Sequence, residues 1–344
     1  MNLSEAAERN SVWVFGSAKK DLCVFFLPLV AGLILQYVLG PTFSDLKQNF
    51  AIYAFFYFVL NTGHIFGTTF PIALDRELRQ KIGILRMWLI PAAVILFFGT
   101  ICLYDVGLFK KLFGLSTLLH ILAQHYNWLR VLQKRERRTD SRQFVERFVL
   151  LTLIAVPVAI WCAGQTPVSP SYMYANDIGF RFGWVNLRIL IWPATALWAG
   201  HLAFLILTAS RSAKPIPFGK ILLFATVYPW LFGSLVWLNS ALMFFVYVIG
   251  SHAGGYYLYL GHGWNRNHRQ PKFHKYLPLL LPLACAIIGV VWNKTSLWIL
   301  TYLTPGLLFI IWIPVILHYV YDATLWKRTP AERRLGSQSF GVSD

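Results

Sequence analysis

The sequence predicts an all-α, polytopic integral membrane bundle of about ten transmembrane helices with both termini in the cytosol. Three observations carry that expectation. Of the 344 residues, 57% are hydrophobic and only 13% charged, whereas a soluble domain carries about 25% charged residues. The apolar residues fall in long runs, close to the roughly 20 a helix needs to cross the hydrocarbon core. And 25 of the 31 Lys and Arg sit in alternate connections between those runs, the asymmetry that orients a chain in a bilayer.

Residues 1–20 form a polar N-terminus ending in Lys19-Lys20. The first apolar run starts only after it and is longer than a signal-peptide core, so it reads as a retained span. Spans are expected near 21–40, 50–74, 87–108, 112–132, 146–164, 187–209, 219–237, 240–263, 277–293 and 297–322. The single bundle thus occupies 21–326, and residues 327–344 form a short cytosolic tail. Cations cluster in 1–20, 76–86, 130–147, 211–220, 266–275 and 327–334. These become the inner segments, and every even-numbered span runs from outside to inside. The expected location is the cell's inner (cytoplasmic) membrane. The outer loop Gln165–Asn186, rich in Pro, Gly and aromatics, reads as a lid or cap at the interface.

A net charge of +17 would suggest nucleic acid in a soluble chain. Here the cations set topology and meet anionic lipid headgroups, with no nucleic-acid partner. Cys23, Cys102, Cys162 and Cys285 all lie in apolar runs without a CxxC pair, which argues against both disulfides and a thiolate metal site.

The candidate site comes from histidine placement. The apolar run from Leu297 closes on His318 and Asp322, four residues apart and so on one helix face. An ionisable pair inside a span is costly and marks a working site. Seven of the nine histidines fall on expected spans, and all seven on even-numbered ones: His64, His120 and His125, His201, His252 and His262, and His318. Counted to the next inner cation, His64, His120, His201, His252 and His318 lie about 14–21 Å from the inner loops at 1.5 Å per residue. His125, Asp322 and His262 form a second layer, about 6–8 Å deep by the same rise. Imidazole with carboxylate and no thiolate suits iron, zinc, copper or manganese.

The expected ligand set is His64, His120, His125, His252, His318 and Asp322. His120 and His125 diverge by about 140° around their helix, so one of them stands behind the other. His252 precedes Ala253-Gly254-Gly255 and His64 follows the polar notch Asn61-Thr62-Gly63. His201, on the sixth span after Gly200, has no companion polar residue, and His262, ten residues past His252, is too far down its helix for the same ion unless the Gly pair unwinds. His268 and His274 lie among loop cations. Gln124, Tyr319, Tyr321, Asn61 and Thr68 are candidates to accept the second imidazole N–H, and Asp75 reads as an interfacial partner of Arg76 or Arg79. Aromatics are assigned to packing and interface belts, Trp128, Trp264 and Trp326 to the inner belt.

This layout resembles the integral-membrane non-haem iron oxidoreductases, the fatty-acid desaturases, hydroxylases and alkane monooxygenases. The resemblance is one of arrangement: no HxxxH or HxxHH box occurs, so no residue is carried over by motif. The blocks TGHIFGTTFPIALDRE, HILAQHYNW, SHAGGYYLYLGHGWN and HYVYDATLWK look like hallmarks of a separate His-rich membrane family. The resemblance implies two iron ions and dioxygen. The expected function is oxidation of a lipid, isoprenoid or other hydrophobic metabolite drawn from the bilayer. Electrons would come from an external donor such as ferredoxin, docked on the cationic inner face. Two alternatives stay open: haem ligation in quinol-linked electron transfer, and a histidine relay in a metal or proton transporter.

Overall fold

The computed structural model describes residues 14, 17–39, 52, 55–67, 80, 82–136, 140–165, 185–211, 218–237, 241–257, 283–285, 287–292 and 305–326, and every regular element among them is helical. The helices are α1 (Ala18–Leu39), α2 (55–67), α3 (Ile82–Tyr104), α4 (Val106–Glu136), α5 (Asp140–Cys162), α6 (Leu187–Arg211), α7 (Phe218–Trp237), α8 (241–257) and α9 (Pro305–Trp326). Six of them, α1 and α3 to α7, are long and apolar enough to cross a membrane. Thr68, Asp75, His262, His268, His274, Trp264, loop residues 166–184, most of residues 1–20 and the tail 327–344 lie outside the described residues.

Helix ends follow local chemistry. The expected turn at Lys110-Lys111 falls instead at Asp105, whose extended backbone breaks the helix and whose Oδ1 accepts the Leu108 N–H at 3.0 Å. That N-cap satisfies one of the amide groups that a helix start leaves unpaired. Lys110 and Lys111 therefore sit inside α4 rather than in a loop. The side-chain oxygen of Asn186 caps α6 in the same way, accepting from the Arg188 N–H at 3.1 Å. Helix α3 begins before Arg86, because a long cationic side chain can keep its head at the interface while its stem stays on the helix. Gln165 ties the end of α5 to the start of α6, its Oε1 accepting from the Leu187 N–H at 2.6 Å and its amide donating to the Val185 carbonyl.

Among the described residues, π-type turns interrupt the α-helices at Leu22–Phe26, Phe55–Thr62, Leu85–Leu89, Phe232–Trp237 and Phe245–Ile249. Such turns are rare and often mark functional helices. Two of them end within three residues of His64 and His252.

The chain divides into two compact units, one of Met1–Tyr53 and Leu118–His252, the other of Ala54–Thr117 and Ala253–Ser339, with the last residues shared between them. In the first unit α7 is the central helix: 78% of its apolar window is buried, against 17% for α6. It packs against α1, α5 and α6. The outward faces of α1 and α6 remain apolar, with Leu33, Ile34, Trp192 and Ile206 exposed, as helices facing hydrocarbon require. Small residues permit close approach where lipid supplies no hydrophobic drive. Gly32 of α1 lies directly against the Tyr247 ring of α8, leaving no room for a Cβ.

The same unit buries an ion cluster. Lys220, fully buried on α7, donates to Glu136 of α4 and, at 2.9 Å, to both carboxylate oxygens of Glu146 on α5. Gln133 donates to Glu146 at 2.9 Å and Arg142 approaches it at 3.4 Å. The sequence places Lys220 with the inner cations. The structure folds it inward, because two carboxylates from other helices offset the cost of its desolvation.

In the second unit α3 packs along α9. Cys102, Phe109, Phe113 and Ile316 form its buried core, with Phe98 and Trp312 packed on it. Gly99 faces the Phe309 ring, 3.0 Å from where a Cβ would stand.

Two outcomes test this packing in detergent thermal unfolding. Lys220→Met removes the buried cation that Glu136 and Glu146 share and lowers stability by about 3–5 kcal/mol. Gly32→Leu forces α1 off Tyr247 at a cost of about 1–3 kcal/mol, and Tyr247→Ala in the same chain recovers most of it.

Candidate metal-binding histidines

Each unit offers its own group of imidazoles. In the first, His120 of α4 and His252 of α8 meet edge to face, ring centroids 5.0 Å apart. Gln124, one turn along α4 from His120, fixes the second ring. Its amide donates to the His252 carbonyl at 3.2 Å, so its Oε1 faces His252 Nδ1 and accepts from it. Nδ1 therefore carries the hydrogen, and Nε2 is the lone-pair nitrogen.

His125 diverges from His120 as their spacing requires. Its Nδ1 lies 2.8 Å from the Ile121 carbonyl. A carbonyl can only accept, so again Nδ1–H donates and Nε2 keeps its lone pair. That nitrogen is buried without a hydrogen-bond partner among the described residues. Around the ring stand Trp128 at 4.9 Å and Trp230 at 5.9 Å, with Phe25 against both indoles. Trp128 is thus a buried wall of this aromatic box and not a belt residue, because α1 covers it. His201 is buried against Phe224, ring centroids 4.5 Å apart. No three described His, Cys, Asp or Glu bring their ligand atoms within 4.8 Å of one another with His125 or His201 among them.

In the second unit His64 of α2 and His318 of α9 meet edge to face, centroids 4.8 Å apart, with one ring nitrogen of each within 4.8 Å of the other. His64 Nδ1 donates to the Leu60 carbonyl at 3.2 Å, which leaves its Nε2 as the lone-pair nitrogen. Asp322 Oδ2 stands 3.7 Å from His318 Nε2. That is beyond hydrogen-bond length and within ion-pair distance. His64, His318 and Asp322 are all buried.

Of the expected accepting groups, Gln124 takes that role. Tyr319 and Tyr321 spend their hydroxyls elsewhere, on Thr117 Oγ1 at 2.7 Å and the Met87 carbonyl at 3.3 Å. The sequence reading missed Tyr256, whose buried ring packs on both His64 at 5.9 Å and His318 at 5.7 Å. Its signal was positional, four residues past His252 and so on the same helix face.

The class this defines is a multi-pass, α-helical membrane protein with histidines buried inside its helix bundle. No protein-family model, curated protein or solved structure matches the chain. For the hydrogen-bonding logic, Gln124→Leu is expected to free the His252 ring: its imidazole signals in NMR of labelled protein shift and broaden, while those of His64 do not.

Proposed function

We propose that this chain is a metal-dependent oxidoreductase of the inner membrane, with about ten spans and both termini in the cytosol, acting with dioxygen on a hydrophobic metabolite that enters from the bilayer. The candidate ligands are His120, His125 and His252 in the first unit and His64, His318 and Asp322 in the second. The observation that carries the reading is shared by three of these histidines. In His64, His125 and His252 the Nδ1–H is tied to an oxygen of Leu60, Ile121 or Gln124. That is how proteins hold imidazoles that bind a metal through Nε2, the outer hydrogen bond fixing both tautomer and ring direction.

Neutral imidazole and carboxylate form the donor set that iron accepts, and a bound iron ion supplies redox chemistry with dioxygen that no side chain can perform. The chain's own contributions are orientation and a dry environment. Gln124 holds His252, backbone carbonyls hold His64 and His125, and Tyr256 covers His64 and His318 on one side. An acidic electron donor would meet the cationic inner segments.

Metal analysis of the purified protein, with its optical spectrum, tests this. Iron in stoichiometric amount without a Soret band supports it, a Soret band makes the chain a haem protein, and absence of any bound metal favours a proton relay. His318→Ala and Asp322→Ala are each expected to abolish metal binding, while His268→Ala keeps it. Gln124→Leu should weaken metal affinity about 10–100-fold through loss of the ring's hydrogen bond.

A further inference from the structure

The second unit contains a groove unrelated to its histidines. It is an open cavity of about 390 Å3 between α3, the start of α4 and α9. Val94 and Phe98 form one wall, Phe113 the floor, and Ile316 and Val320 the other wall, with Arg86 at one end. On α9, at 3.6 residues per turn, this lining face lies about 130° around from His318 and Asp322. The groove is therefore a separate site.

Three features define its occupant. The walls offer hydrocarbon and no unspent donor: Ser116 Oγ donates to the Leu112 carbonyl at 2.8 Å and the Tyr319 hydroxyl to Thr117. The one charged lining residue is a cation, with no carboxylate among the described lining residues. Arg86 is exposed and makes no ion pair or hydrogen bond among the described residues. Finally, Arg86 and Phe98 are twelve residues apart, about 18 Å along α3 at 1.5 Å per residue. That is close to one leaflet of a hydrocarbon core about 30 Å thick.

We infer that the groove binds one anionic lipid of the leaflet that contains Arg86, its acyl chain lying along Val94 and Phe98 and its headgroup on the Arg86 guanidinium. A general cationic surface attracts such lipids without stoichiometry. A guanidinium ending a hydrocarbon-lined groove of leaflet depth holds one. A guanidinium also pairs its two parallel N–H groups with phosphate oxygens, which an ammonium cannot do. The inference does not depend on a metal, and its readout is separate from metal content.

The test is native mass spectrometry of the full chain, released from nanodiscs containing phosphatidylglycerol and phosphatidylcholine in equal amounts. One phosphatidylglycerol should remain per chain, in preference to phosphatidylcholine. Arg86→Gln should lower that retention by about fivefold, the fold-change given by ~1 kcal/mol for a basic residue at an anionic surface. Val94→Trp fills the groove and should abolish retention with Arg86 intact. Ala323→Leu, at an exposed lining position, narrows the groove without touching the core and should weaken retention should Val94→Trp not fold. Arg188→Gln removes an exposed cation elsewhere and should change nothing. Equal retention of the two lipids, an equal loss in Arg188→Gln and Arg86→Gln, or full retention in the groove-filling variants would overturn the proposal.

Discussion

The bilayer supplies no hydrogen bonds, and the rest of this structure answers to that constraint. Backbone groups are satisfied within helices. The hydroxyls of Thr100, Ser116, Thr195, Thr226 and Ser234 donate back to the carbonyl four residues earlier, a local solution that needs no partner helix. Trp198 Nε1 donates to the Phe224 carbonyl at 2.8 Å. The buried charge of Lys220 is met by the opposite charges of Glu136 and Glu146. Against that background a buried imidazole nitrogen that keeps its lone pair is conspicuous, and His125 Nε2 is the clearest instance.

Local helix geometry serves the histidines. A π-type turn adds a residue to one helical turn and so rotates everything after it. Such turns precede His64 in α2 and His252 in α8, and each redirects its imidazole relative to an uninterrupted helix. The same turns free backbone carbonyls from strict i−4 pairing. In α2, Leu60 lies within the π segment and its carbonyl is the group that holds His64.

Helix α9 presents two distinct faces. His318 and Asp322 occupy one face, and Ile316, Val320 and Ala323 line the lipid-sized groove on another. Tyr319 stands between them, stacked on Phe113 at 5.9 Å and spending its hydroxyl on Thr117. A phenol there satisfies its polar group internally, on Thr117, which keeps the wall free of an unspent donor.

Much of this was legible in the chain. Length and hydropathy of the apolar runs gave the positions of α1, α5, α6 and α7 to within a few residues, because a membrane span is a local property of composition. The i,i+4 spacing put His318 beside Asp322, and Gln124 was readable as an imidazole partner from its position near His120. What only the tertiary structure decided were pairings between residues far apart in sequence. Lys220 meets Glu136 and Glu146 from two other helices, Trp128 is covered by Phe25 of α1, and Tyr256 packs on rings from α2 and α9. The turn at Asp105 was also missed, since Lys110-Lys111 looked the more polar break while the better cap was a single aspartate. The physical reason is common to the three long-range pairings: periodicity and composition fix what a segment is, but burial is decided by what the returning chain lays against it.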